Sequence, residues 1–111
     1  MKLTKLLTQA LEKRFAQIGS QDGRGDEAII VAKYFTPDSS WTWFATEYLP
    51  EERNFFGLVS GHEIELGYFN LDELASVRGP LGLPIERDLY WNECTVGEIR
   101  RQLESTRRVA S

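Results

Sequence analysis

Apolar residues near the N-terminus recur at intervals of three and four positions. They are Leu3, Leu6, Leu7, Ala10, Leu11, Phe15 and Ile18. This spacing places them on one face of an α-helix, and the glycine that follows is a common helix terminator. The pattern predicts an amphipathic helix from about Thr4 to Ile18, ended by Gly19.

The next segment, residues 20–26, contains two glycines and no apolar residue. Segments without an apolar anchor lie on the surface. We therefore predict an exposed, flexible loop over residues 19–27.

Four further segments have the aromatic and β-branched composition of strands. They are residues 28–35, 41–48, 54–60 and 63–69. The connections between them are short, and the first two contain Pro37 and Pro50, so consecutive strands are expected to pair antiparallel as a meander. In the last strand Glu63 and Glu65 alternate with apolar residues, which predicts one solvated face.

Helix signals return after the fourth strand. Asn70 is a good N-cap for a two-turn helix ending near Val77, and residues 95–98 (TVGE) form a capping box that opens a last helix. The glycines and prolines of residues 79–84 predict a loop whose two leucines pack inward. Residues 85–91 are a candidate further strand, and residues 106–111 are expected to fray.

The order of these elements predicts one α+β domain over residues 1–111. We expect a mainly antiparallel meander sheet of four or five strands, with an N-terminal, a short middle and a C-terminal helix packed on one face.

Charge is distributed unevenly along the chain. The formal net charge is −4, but residues 38–93 carry three basic and eleven acidic side chains, a formal charge of −8. Such a segment repels phosphate and attracts cationic partners. We expect a protein partner with a basic surface and no general affinity for nucleic acid.

The N-terminal sequence and the number of cysteines indicate the cellular compartment. Lysines interrupt the N-terminal apolar residues before a signal-type stretch develops, and no apolar run is long enough for a bilayer span. Cys94 is the single cysteine, so an internal disulfide is excluded. We expect a cytoplasmic protein without a membrane association.

The sequence contains no nucleotide-binding motif and no metal-binding motif, and we assign no cofactor, metal or catalytic residue. His62 is the single histidine and is more simply a hydrated turn residue. Several carboxylates could converge if their strands are neighbours, namely Glu47, Glu63, Glu65, Glu86 and Asp88. They would then suit a metal-assisted hydrolase, although alternating charges usually form a solvated face.

Arg87 alternates with Ile85, Leu89 and Trp91 on one face of the candidate strand. If that face is buried, its guanidinium needs a carboxylate such as Glu47 or Glu65, because an unpaired buried charge is costly. A structural ion pair is the favoured interpretation and ligand recognition the alternative.

Aromatic residues are concentrated in the predicted strands. Trp41 and Trp43 are expected on one face of their strand, and Phe44 and Tyr48 on the other. Because helices on one side cannot cover both faces, one aromatic patch should stay exposed as a binding surface. The candidate binding residues are Trp43, Glu47, Glu65, Tyr68, Arg87 and Asp88.

Six segments of the sequence resemble a bacterial family known only as domain of unknown function 2958. They are KYFTPD at 33–38, WTW at 41–43, TEY at 46–48, FGLVSG at 56–61, ELGYF at 65–69 and RGPLGLPIERD at 78–88. The resemblance covers about residues 3–100. It implies a protein of plasmids, integrative elements or phages with an accessory or counter-defence role, and it assigns no catalytic residue.

Three functions follow as hypotheses. The first is an acidic protein-binding or inhibitor module that occupies a basic host or element protein. The second is a carboxylate-dependent hydrolase. The third is nucleic-acid binding through the aromatic sheet and the terminal arginines, which are Arg100, Arg101, Arg107 and Arg108.

Overall fold

The first helix begins later than its apolar pattern predicts. A computed structural model describes the backbone of residues 5–110 and the side chains of residues 5–106. Helix α1 spans Gln9–Ile18, because the Thr8 hydroxyl accepts a hydrogen bond from the Leu11 amide (3.2 Å) and caps it there. Gly19 ends it with φ +69°, as predicted. The predicted start at Thr4 lies outside the described residues.

Leu6 and Leu7 precede this helix but are buried. The Tyr34 hydroxyl donates to the Leu6 carbonyl (2.7 Å), which ties this non-helical segment to the sheet. Burial raises the pKa of Tyr34, so the hydroxyl stays a donor throughout the physiological pH range. The apolar pattern therefore identifies Leu6, Leu7 and Phe15 as core residues, whereas Ala10 is exposed and the helix begins later than the pattern predicts.

The main sheet has five antiparallel strands in the order β5-β4-β3-β2-β6. The strands of both sheets are β1 (Ile29–Ile30), β2 (Ala32–Phe35), β3 (Thr42–Leu49), β4 (Asn54–Ser60), β5 (Ile64–Asn70), β6 (Glu86–Arg87) and β7 (Cys94–Thr95). Strands β2 to β5 form the predicted meander. Strands β1 and β7 pair separately, since the predicted first strand is interrupted at Val31.

Helices α2 (Leu71–Ser76) and α3 (Val96–Ala110) begin where their caps predict. The Asn70 side chain accepts from the Asp72 and Glu73 amides, and the Thr95 hydroxyl accepts from the Glu98 amide (3.2 Å). A short 3₁₀ turn, Gly25–Glu27, lies in the segment predicted as a loop. The α+β class and all three predicted helices are confirmed. The predicted frayed tail extends beyond the described side chains and stays a prediction.

Helices cover both faces of the sheet, so the prediction that they pack on one face is wrong. One core contains Phe15 of α1, and its sheet residues are Ala32, Tyr34, Ala45, Tyr48, Phe55 and Phe69. A second core joins Val96 and Ile99 of α3 to Phe44 and Leu58. We call these sides the α1 face and the α3 face. Because Phe44 and Ala45 are adjacent in one strand, the two cores lie on opposite sides of the sheet.

A β-bulge at Thr46 decides which side chains of β3 reach each face. Ala45 pairs with Gly57 but Glu47 pairs with Phe56, so Thr46 is an extra residue in β3. The shift places Tyr48 on the same face as Trp43 and Ala45. The expectation that Tyr48 lies opposite Trp43 is therefore wrong, because strict alternation ignores the inserted residue.

The predicted strand over residues 85–91 is only two residues long. After Arg87 the chain turns, with the Tyr90 amide donating to the Asp88 carboxylate (2.9 Å). The alternation predicts that Leu89 shares a buried face with Ile85. This prediction is wrong, because Leu89 is 70% exposed. The turn is joined to α1 by two hydrogen bonds from Arg14 to Glu93 (2.7 and 2.8 Å), which lower the pKa of the Glu93 carboxyl.

No helix among residues 5–110 is long and apolar enough to cross a bilayer.

Gly57 and Gly67 are paired across β4 and β5 but differ in the space beside them. A Cβ on Gly57 would lie 1.8 Å from the Phe44 carbonyl oxygen, whereas none of the described atoms lies within 4 Å of a Cβ on Gly67. We predict that Gly57→Ala lowers the free energy of unfolding by about 3 kcal/mol or more, since backbone must move. Its matched control, Gly67→Ala, should raise it by about 0.5 kcal/mol. Urea denaturation of both variants measures this, and equal effects would contradict the close approach of the Phe44 carbonyl to Gly57.

Candidate protein-binding surface

The structure divides the predicted binding residues between the two faces of the sheet. Trp43, Glu65 and Arg87 belong to the α1 face, because the register links them through Tyr34 and Val59. Glu47 and Tyr68 both pair with Phe56 and lie on the α3 face. Asp88 follows β6. These six residues therefore do not line one site.

Arg87 does not form the predicted carboxylate ion pair among the described residues. It is half-buried, and its Nε donates to the Lys5 backbone carbonyl (3.0 Å). Glu65 lies on the opposite edge strand of the sheet. The condition for an ion pair, a fully buried guanidinium, is not met, and a backbone oxygen satisfies the donor.

Asp88 has a local structural role. One carboxylate oxygen accepts from the Tyr90 amide, and the other lies 4.0 Å from the Lys33 ammonium. The Asp88 amide also donates to the Lys33 carbonyl (2.9 Å). These contacts explain Asp88 as a turn residue, so nothing in its geometry calls for a ligand.

Gln21 anchors the loop after α1, and the hydrophobic pattern does not reveal it. Its side chain is 4% exposed. Its amide nitrogen donates to the carbonyls of Thr46 (2.7 Å) and Ile29 (2.8 Å), and its amide oxygen accepts from the Ile29 N–H (2.6 Å). The carboxamide therefore satisfies backbone groups that the bulge and the end of β1 leave unpaired.

The backbone amide of Gln21 also donates to the Glu47 carboxylate (3.0 Å). Glu47 thus has one oxygen occupied by the loop. It faces a groove of about 630 Å³ between the loop, the sheet and the start of α3. We call this the α3-face groove. Its side walls include Phe56, Leu66 and Tyr68.

The α3-face groove is apolar and acidic. The charged residues that line it are Asp22 and Glu47, and none of its described lining residues is lysine or arginine. The Tyr68 ring packs edge-on against Phe56 with a centroid distance of 4.9 Å. A partner with a basic group beside an apolar one would complement both features.

A second groove, of about 360 Å³, lies on the other side of β5. We call it the α1-face groove. Trp41 is in its wall, stacked on Trp43 (6.0 Å) and edge-on to His62 (5.5 Å). Its carboxylates are Glu63 and Glu65, and again none of its described lining residues is lysine or arginine.

Leu66 and Tyr68 line both grooves, so β5 is the ridge between them. Leu66 is 48% and Tyr68 68% exposed. Apolar side chains at this exposure beside four carboxylates are typical of a binding surface. The aromatic residues of segment 41–48, from which we expected the exposed patch, do not form it, because Phe44 and Tyr48 are buried and Trp41 and Trp43 are half-buried. We call the two grooves and the ridge the β5 surface.

The loop of residues 79–84 also exposes apolar residues. Leu81 is 80% exposed, so the prediction that both leucines pack inward is wrong. The Asp38 carboxylate accepts from the amides of Leu81 (2.8 Å) and Leu83 (3.4 Å), and a Cβ on Gly79 would overlap it. This carboxylate holds the loop by its backbone and leaves the leucine side chains outward.

The candidate catalytic groups are dispersed. Glu47 lies in one groove, Glu63 and Glu65 in the other, and Glu86 and Asp88 at the far edge of the sheet. Among the described residues no group of three His, Cys, Asp or Glu side chains is placed to hold a metal ion. Burial raises the pKa of Cys94, which keeps its thiol protonated at neutral pH.

Sequence reasoning identified Glu47, Glu65 and Tyr68 of this surface but missed Gln21, Phe56 and Leu66. The alternation of Ile64, Leu66 and Tyr68 contains the signal for Leu66, because it marks one face of the strand. It does not reveal that β5 is the edge strand. Gln21 has no sequence signal, since a glutamine in a polar loop is ordinarily exposed.

The family comparison agrees with the resemblance seen in the sequence. A family model described as "Protein of unknown function (DUF2958)" matches residues 3–104, and the chain belongs to this family. Neither the comparison with curated proteins nor that with solved structures gave a match.

Removing the Gln21 carboxamide should destabilise the fold and disorganise the α3-face groove. We expect Gln21→Ala to lower the free energy of unfolding by about 2 to 3 kcal/mol, because buried backbone groups lose their partners. Gln17→Ala, at an exposed position of α1, is the matched control and should change it by less than about 0.5 kcal/mol. Thermal and urea denaturation provide the measurement. A Gln21→Ala variant as stable as the control would show that the bulge does not depend on this side chain.

Proposed function

We propose that this member of the DUF2958 family is a protein-binding module that uses the β5 surface to bind a partner with basic and apolar side chains. The observation that carries the proposal is the exposure of Leu66 and Tyr68 between two grooves whose charged residues are all acidic. Exposed apolar groups surrounded by charge are typical of interaction sites.

Charge supports a cationic partner. Residues 38–93 contribute strand β5 and three of the four carboxylates of the β5 surface, and this segment has a formal charge of −8. Such a field accelerates association with a basic surface and weakens as salt is added. Proteins that bind nucleic acid carry basic surfaces of this kind. Occupying one of them would suit the accessory or counter-defence role that the family resemblance implies.

The alternative functions receive less support. A carboxylate-dependent hydrolase needs acidic groups that converge, whereas here they lie in separate grooves and at a distant edge. Nucleic-acid binding through the sheet would place phosphates beside Glu63 and Glu65. The nucleic-acid hypothesis also used the terminal arginines. Of these, Arg100 lies 3.5 Å from the Asp26 carboxylate, and the side chains of Arg107 and Arg108 lie outside the described residues.

The proposal predicts a partner whose capture depends on Leu66 and Tyr68. Immobilised protein should retain a partner from bacterial lysate at about 50 mM NaCl and release it at about 500 mM, because screening weakens the charge contacts. The double variant Leu66→Ser/Tyr68→Ser should recover at least about tenfold less of that partner, as loss of central apolar anchors does at other interfaces. Quantitative mass spectrometry of the eluates measures the recovery.

The matched control is Leu89→Ser/Tyr90→Ser, which removes the same two residue types from the opposite edge of the sheet. Leu89 is 70% and Tyr90 90% exposed, so this pair reports unspecific adhesion to exposed apolar groups. Unfolding measurements should show that both double variants fold. A partner should be recovered poorly by the β5 variant and normally by the control variant. If the eluates contain no protein with this behaviour, the proposed function is wrong.

A further inference from the structure

Strand β5 ends the sheet, and within the described residues no strand pairs with its outer side. It runs for seven residues and pairs with β4 in continuous register from Asn54 with Asn70 to Ser60 with Ile64. Sheet edges of this length are usually protected by a bulge, a proline or a lysine. Strand β5 contains none of these, and its one charged side chain is that of Glu65.

Two backbone hydrogen bonds at the ends of the β4–β5 ladder establish which groups point outward. The Gly61 amide donates to the Glu63 carbonyl (3.0 Å), and the Leu71 amide donates to the Arg53 carbonyl (2.9 Å). Antiparallel pairs alternate between bonded and non-bonded. Counting from either end, Glu65 and Gly67 direct their backbone groups toward β4. The N–H and C=O groups of Ile64, Leu66 and Tyr68 therefore point away from the sheet.

The side chains along this edge are sorted by chemistry. Ile64, Leu66 and Tyr68 lie on the α3 face, whereas Glu63 and Glu65 lie on the α1 face. A strand added to β5 would direct alternate side chains to the same two faces. It would place one set beside apolar residues and the other beside carboxylates.

We propose that the partner contributes an extended segment, in which basic residues alternate with apolar ones, and that this segment pairs antiparallel with β5 as a sixth strand. The inference rests on the proposed function and names the part of the partner that is bound. Backbone hydrogen bonds to Ile64, Leu66 and Tyr68 supply affinity. Lysine or arginine opposite Glu63 and Glu65, and apolar residues against Leu66 and Tyr68, supply selectivity.

A second copy of this chain is a poorer occupant. Residues 63–70 contain two glutamates and no lysine or arginine. Pairing two β5 strands would bring four carboxylates to one edge without a counter-charge, which is unfavourable. A basic segment neutralises the same carboxylates.

The test uses a blocked peptide, Lys-Val-Lys-Leu-Lys-Val-Lys, added to the full chain labelled with ¹⁵N. At a peptide concentration about ten times the measured Kd, amide hydrogen exchange of Ile64, Leu66 and Tyr68 should slow about tenfold, since only the free fraction exchanges. Exchange at Glu65 and Gly67, which are already bonded to β4, should change little. Absence of this alternation when the peptide is bound would overturn the proposal.

Two N-methylated peptides provide the chemical control. In an antiparallel ladder the Val and Leu residues pair with Ile64, Leu66 and Tyr68, so their amides donate to β5. Methylating those three nitrogens should weaken binding at least about tenfold, whereas methylating three lysine nitrogens should have a much smaller effect. Equal affinity of the two peptides would mean that backbone pairing is absent.

Charge is tested by Glu63→Gln/Glu65→Gln, which should raise the peptide Kd about three- to tenfold. Glu51→Gln/Glu52→Gln is the matched control, because it removes the same charge from exposed positions at the other end of β4. If the two double variants raise the peptide Kd equally, the attraction depends only on net charge, which would contradict the proposed pairing.

The outcomes separate this inference from the proposed function. A partner that requires Leu66 and Tyr68 but leaves the exchange of the Ile64, Leu66 and Tyr68 amides unchanged would retain the function and overturn strand addition. A second copy would be the occupant of the edge if these amides exchange more slowly as the protein concentration rises and sedimentation velocity shows a dimer. That result would also overturn the proposed addition of a partner strand.

Discussion

The contact on which the structure most depends is the insertion of the Gln21 carboxamide beside the bulge at Thr46. The bulge shifts β3 by one residue, and this shift sends Tyr48 to the α1 face and Glu47 to the α3 face. An extra residue leaves backbone groups unpaired, and buried unpaired groups are costly. Gln21 satisfies the Thr46 carbonyl, and the Thr46 hydroxyl bonds the Phe56 carbonyl (3.0 Å). One polar side chain thereby stabilises the register on which both cores rely.

The local sequence pattern was sufficient to predict the helices and strands, but not the face of the sheet to which each side chain points. The helix ends were predictable because they depend on residues close in sequence. They are the N-caps Asn70 and Thr95 and the terminating Gly19. The side to which Tyr48 points depends on a bulge satisfied by a residue 25 positions from Thr46. The outward direction of Leu81 depends on a carboxylate 43 positions away. Long-range polar contacts of this kind override alternation and leave no periodic trace.

The candidate site was predictable to a similar extent. Glu47, Glu65 and Tyr68 were identified as charged and aromatic residues of strands, and all three lie on the β5 surface. Arg87 was grouped with them because its strand face was expected to be buried, where its guanidinium would need a carboxylate such as Glu47 or Glu65. The pairing of β6 with β2 instead places Arg87 at the edge opposite β5. Which strand is last in the sheet is a property of topology, and the proposed function depends on that property.

An open edge strand carries a risk of association that charge can reduce. Lysines and prolines usually protect such edges, but they would also repel a basic segment or remove a backbone donor. Glu63 and Glu65 disfavour a second copy and attract cations, so the same two carboxylates can provide both solubility and selectivity. The hydrogen bond from the Gln21 amide to Glu47 holds the neighbouring groove in place. A surface ordered before binding loses less entropy when a partner is bound. The Gln21 contacts that set the register of β3 therefore also order the β5 surface, to which the proposed partner would bind.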